Sequence, residues 1–224
     1  MAPEGARGGT ATVPTMSDGV LGATEVRRAA ATCSDFLGDA VDRDWSVSIP
    51  DLEMSVAGVV AHAAEGCLWY AIDLAAGGAD LESVEHRVKP EAPNADLVAT
   101  LNSCAVVVAA VIETSAETAR GFHPMGTADP SGFAAMACDE MLIHTDDAAR
   151  GLGSTFRPPE DMAGAVLGRL FPWVPLDGDP WELLQWANGR IPLGDRDRLE
   201  GWAWHCAPLA EWDGTVPTPP RRDP

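Results

Sequence analysis

Positive charge is scarce in this 224-residue chain. It has a single lysine, Lys89, among 15 basic residues, against 34 aspartates and glutamates, for a net charge of −19. So acidic a chain has no electrostatic reason to approach nucleic acid or an anionic membrane, and neither is expected as a partner. The lysine shortage, beside abundant alanine and glycine, reads as codon bias and carries no chemistry. A CxxC pair, a GxSxG and a glycine-rich phosphate loop are also missing, which leaves dithiol, serine-hydrolase and nucleotide chemistry without support. The five cysteines (Cys33, Cys67, Cys104, Cys138, Cys206) are widely spaced, an odd set that reads as reduced thiols in the cytoplasm. The charged-then-apolar pattern of a secretion signal is lacking. Composition allows Met16 as well as Met1 as a start. The most apolar run, residues 97–112, is interrupted by Asn102 and stopped by Glu113, and is expected to be too short and too polar to span a bilayer. No period-2 alternation marks a strand, and no internal repeat is found.

What is there is helical periodicity. Helices are expected over residues 20–37, 54–76, 95–120 and 131–150, the second closed by Gly77 and Gly78, the third capped by Asn94 and the fourth by Ser131. Such a set predicts an all-α protein, an up-down four-helix bundle with room for one longer crossover. Residues 1–19 have the composition of a disordered segment. The loop 42–53 is expected to be anchored by Trp45 and Pro50. After residue 157 the character changes to a 67-residue extension with short helices at 160–170 and 180–188, holding six of the eight tryptophans. It is expected to wrap the bundle. Trp173, Trp181 or Trp186 then either walls a pocket or seals a surface.

The bundle is organised around residues 132–152, GFAAMACDEMLIHTDDAARGL. At 100° per residue, Phe133, Ala137, Met141 and Ala148 form an apolar stripe, and Glu140, His144 and Asp147 fall on the same side, within an arc of roughly 60°. Ionisable groups inside an apolar stripe are costly unless paired. Glu140 and His144, four apart, emerge as neighbours on successive turns and can share a divalent metal. His62, on the flank of a helix with Val56, Val59, Val60, Ala63, Cys67, Ala71 and Leu74 as its apolar stripe, is the best third ligand. A solvent-exposed histidine fits that position equally well. Asp147 is placed to orient a ligand imidazole or to pair with Arg150. Glu65 reads as a face residue, and His205–Cys206 as a coincidence rather than a dyad. Arg169 and Arg190 are candidates to clamp a carboxylate through the guanidinium fork, or to compensate helix ends.

The segments VVAHAAE, DEMLIHTDDAARGLG and RLFPWVP…PWELLQWANGR together resemble the mycothiol-dependent maleylpyruvate isomerase family of the DinB-like four-helix-bundle superfamily. The resemblance runs from about residue 20 to residue 190. One departure is Met54, in LEMSV, where many relatives have tryptophan. The resemblance implies a metal triad of His62, Glu140 and His144; Asp147 and Arg190 keep the roles their positions suggest, behind the triad and as an anion contact. It also implies mycothiol as cosubstrate. Three protein ligands leave a coordination position open, the arrangement of a catalytic ion; zinc is the first expectation, and nickel or iron suits the same donors. The expected function is a metal-dependent transferase or cis–trans isomerase that activates a low-molecular-weight thiol for addition to an electrophilic small molecule. The alternatives are a non-catalytic helical bundle that binds a small molecule or partner, and a metal-dependent hydrolase.

Overall fold

The structure, a computed structural model, describes residues 21–219. The N-terminal segment expected to be disordered lies outside the described residues, as does the first residue of the first expected helix. Six α-helices follow in order: α1 Ala23–Gly38, α2 Val56–Ala76, α3 Asn94–Thr114, α4 Pro130–Gly151, α5 Glu160–Leu170 and α6 Pro180–Ala187. The described residues contain isolated bridges and no strand ladder. The fold is an all-α, DinB-like helical bundle.

Local chemistry sets the helix ends, not always as the sequence suggested. Ser55 caps α2, its Oγ accepting from Gly58 N at 3.0 Å, and Gly77, at φ 82°, ends it. Asn94 is the first residue of α3 rather than its cap. Its amide donates to the carbonyls of Val41 (2.8 Å) and Arg43 (3.0 Å), tying α3 to the loop after α1. Asp129, not Ser131, caps α4, accepting from Gly132 N at 2.7 Å with Pro130 at the first helical position. Ser131 Oγ is taken instead by Arg169 Nε at 3.3 Å. α3 stops at Thr114, six residues early, because Ser115 turns extended and residues 121 and 128 pair across a loop. In the loop before α2, Trp45 is buried as expected, its Nε1 donating to Ala40 O at 2.9 Å. Pro50 is exposed, and the neighbouring Ile49 is the second anchor.

Helices α1 and α2 occupy opposite corners, each packed against both α3 and α4. The α1–α2 link is therefore the diagonal crossing. α3 is 21 residues long and holds an 18-residue window of mean hydropathy 2.0, so length and composition would let it cross a membrane, against the sequence expectation. Here its Leu97, Leu101, Cys104, Ala105, Val108, Ala109 and Ile112 face the bundle, with Val106 and Val107 outside.

α4 is the centre of the molecule. From Gly132 to Ala149 every residue except His144 is buried. An amphipathic helix would leave one face in water, but here α5 and the chain after it cover that face. Close approach there is literal at Gly132, where a Cβ would stand 2.3 Å from Cys206 O.

Candidate metal centre

Three donor atoms converge between α2 and α4. His144 Nε2 lies 3.2 Å and His62 Nε2 3.4 Å from Glu140 Oε1, and all three fall within 4.8 Å of one another. The two imidazole rings meet edge to face at 81°, with centroids 5.1 Å apart. Glu140 is buried and His144 nearly so, whereas the His62 side chain is 51% exposed and forms the open edge. These contacts have the distance of ion pairs without the direction of hydrogen bonds. Glu140 Oε1 is buried with no hydrogen-bond partner, a condition that costs free energy unless something else satisfies the oxygen. Two ring nitrogens and one carboxylate oxygen are donor types that suit a divalent ion.

The other ring nitrogen of His144, Nδ1, sits 3.0 Å from Asp147 Oδ2. An ionised carboxylate only accepts, so Nδ1 carries the proton, and in the neutral ring the lone pair is on Nε2, toward Glu140. Asp147 is fully buried. Burial opposes its charge, but His144 and Arg190 outweigh burial and hold its carboxyl far below the usual range. Arg190 gives Nε to both Asp147 oxygens at 3.1 Å, Nη2 to Oδ2 at 2.9 Å, and Nη1 to Asn188 O. Arg150 closes the same carboxylate from its own helix. Arg190 thus has its fork on an internal anion, where the sequence suggested a contact to substrate. Arg169 is likewise spent, on Asp129, Ser131 and the carbonyls of His205 and Cys206. Burial disfavours the charged His144 ring, but Glu140 and Asp147 prevail and raise its pKa to about 9.

Further polar residues of α4 are met by the extension. Asp139 accepts from Asn188 Nδ2 at 2.9 Å and Trp204 Nε1 at 3.0 Å, and Asp146 from Gln185 Nε2 at 2.9 Å. Burial raises Asp139 to about 7 and Asp146 to about 6 despite these donors. The tryptophans singled out from the sequence have other neighbours: Trp181 meets Phe156, and Trp173 stands between Phe171 and Trp186. Trp204 is the one joined to the centre, through the ring of His123 (5.7 Å) and then Tyr70 (5.9 Å).

Sequence reasoning passed over Tyr70, Gly66 and His123. Tyr70 OH donates to Glu140 Oε2 at 3.0 Å. At Gly66 the Glu140 side chain lies against the α2 backbone. Spacing held a signal for both, since His62, Gly66 and Tyr70 stand four apart on one helix face. His123 Nδ1 accepts from Met125 N at 3.2 Å, and burial lowers its pKa to about 4, so the ring is neutral. Cys206 Sγ is 3.8 Å from that ring, but burial pushes the thiol up to about 12, so no thiolate–imidazolium pair forms. Glu65 pins the connector before α3, Oε1 accepting from Val88 N at 2.7 Å.

The family model of the mycothiol maleylpyruvate isomerase N-terminal domain matches residues 26–149. The chain belongs to this family. The match runs from α1 to the last turn of α4 and includes His62, Glu140 and His144. It stops before Arg150 and the whole extension. Searches of the curated proteins and of the solved structures found no match.

Proposed function

We propose that this member of the mycothiol maleylpyruvate isomerase family is a metal-dependent, cytoplasmic enzyme that adds a low-molecular-weight thiol, mycothiol, to an electrophilic small molecule. The observation that carries the reading is the convergence of His62 Nε2, Glu140 Oε1 and His144 Nε2 around an oxygen that has no hydrogen-bond partner. Those three residues would hold the ion, zinc in the first instance, with nickel or iron suited to the same donors. When bound, such an ion lowers the pKa of a thiol so that it is a nucleophile at neutral pH.

The chain's own residues do the rest. Asp147 orients His144 and fixes its proton on Nδ1, while Arg190 and Arg150 neutralise Asp147, so the centre does not accumulate charge. The exposed His62 edge is the side from which thiol and substrate arrive. Addition forms a carbon–sulfur bond and moves the thiol proton to the substrate. Expulsion of the thiol after bond rotation gives cis–trans isomerisation, and retention gives transfer. Five free, buried cysteines suit a reducing compartment.

The test is metal analysis of protein purified without a metal-affinity tag, followed by mycothiol consumption in the presence of activated double-bond electrophiles. One equivalent of metal and thiol loss that both vanish in His144→Ala, with the helical content kept, is the expected result. Full metal loading without thiol dependence would point to hydrolysis. Activity that survives removal of the metal would sink the reading.

A further inference from the structure

We infer that Tyr70 and Gly66 are positioning residues that make Glu140 a one-oxygen donor, presenting Oε1 to the two histidines and withholding Oε2. The inference rests on the metal reading above.

His62, Gly66 and Tyr70 form a single row along α2, and the Glu140 side chain lies along that row. At the outer end His62 faces Oε1 at 3.4 Å. In the middle, a Cβ on Gly66 would stand 3.1 Å from Glu140 Cγ and Cδ and 3.2 Å from Oε1, tighter than side chains normally pack. At the inner end the Tyr70 hydroxyl donates to Oε2 at 3.0 Å, and Tyr70 is only 5% exposed. A phenol keeps its proton at neutral pH and an ionised carboxylate only accepts, so the hydroxyl is the donor in this pair. A carboxylate can give a metal one oxygen or two. Turning Oε2 toward the histidines would strip the buried phenol of its acceptor, which disfavours the chelating mode. The position a second oxygen would take stays available to an external ligand.

The full chain offers a clean probe, since Tyr70 is its only tyrosine. Co(II) added to metal-free protein should give the strong visible bands of a four-coordinate site, and 2-mercaptoethanol should shift them. Tyr70→Phe, of the same shape without the donor, should show the weaker bands of a higher coordination number and need at least about tenfold more thiol for the shift. Gly66→Ala should weaken Co(II) binding about 10- to 100-fold, as changes behind a ligand do. Biosynthetic 3-fluorotyrosine places one fluorine at the site without any substitution. Its resonance should move on addition of Zn(II), and stay put in His144→Ala. Wild-type protein that binds Co(II) with Tyr70→Phe showing the same bands and thiol response overturns the inference alone. So does a fluorine resonance unmoved at metal saturation, which decides the matter even where Tyr70→Phe does not fold. Wild-type protein that binds neither Co(II) nor Zn(II) overturns the metal reading and this inference with it.

Discussion

His144 Nδ1 lies 3.0 Å from Asp147 Oδ2, and that contact decides which nitrogen the ring turns toward Glu140. The carboxylate is in turn held by Arg190 and Arg150, so the ring is oriented by a chain of charges centred on the buried Asp147 rather than by packing alone. Asp147→Asn should therefore weaken metal binding about 10- to 100-fold. Competition with a chromophoric chelator measures it. An unchanged affinity would leave Asp147 with only an ion-pairing role.

Metal binding should also depend on pH in a definite direction. In the metal-free protein His144 is protonated below about 9, and a ligand imidazole must be neutral, so uptake displaces a proton. Apparent Zn(II) affinity should rise about tenfold per pH unit from neutrality toward that value and then level. Stability of the metal-free protein runs the other way. The folded pKa lies above the unfolded value of about 6.5, so the contribution is complete below about 6.5 and is lost as pH rises through about 9. Metal titrations and urea unfolding at matched pH values separate the two trends.

Much of this was readable because it is local. The apolar stripe of α2 and the four-residue step from Glu140 to His144 depend only on helix geometry, and both short helices of the extension lie where periodicity placed them. His62 was legible as a flank residue and as the best partner for Glu140 and His144, and its Nε2 does face Glu140 Oε1. The rest depends on contacts distant in sequence. Arg190 has the chemistry of an anion clamp, but only the fold decides that the anion is Asp147, 43 residues away. Asp139 and Asp146 look like the wet face of an amphipathic helix. They are buried because Asn188, Trp204 and Gln185 arrive to donate to them. Tyr70 gave no signal beyond its spacing, since its partner lies 70 residues on.

Those donors make the extension part of the fold's stability. Trp204→Phe removes the N–H from Asp139 Oδ2 and should cost about 1–3 kcal/mol, the range for leaving a buried acceptor unmade. Deleting everything after Arg157 removes the donors to Asp139 and Asp146 and one of the arginines on Asp147 together, and should abolish cooperative unfolding instead of simply opening a pocket. Urea denaturation followed by circular dichroism tests both. A truncated protein that unfolds as sharply as the full chain would refute this view.

Gly132 gives an independent check on the same interface. A Cβ there would meet Cys206 O at 2.3 Å and Arg169 Nη2 at 2.9 Å, and a backbone carbonyl has little room to retreat. Gly132→Ala should destabilise the protein by about 1–3 kcal/mol, as overpacking does. It should also raise the fluorescence response of the tail tryptophans to a soluble quencher. Equal quenching in variant and parent would mean that the tail adjusts without leaving α4.

The family match ends at residue 149, yet the cations that neutralise Asp147 sit at residues 150 and 190. The stretch that defines kinship is thus not the stretch that balances charge. A chimera that kept the bundle and took its tail from a relative would have to import Arg190 together with Gln185, Asn188 and Trp204, as one inseparable set. New chemistry in such a scaffold is more easily written at the exposed His62 edge, where a change does not have to be answered from the other side of α4.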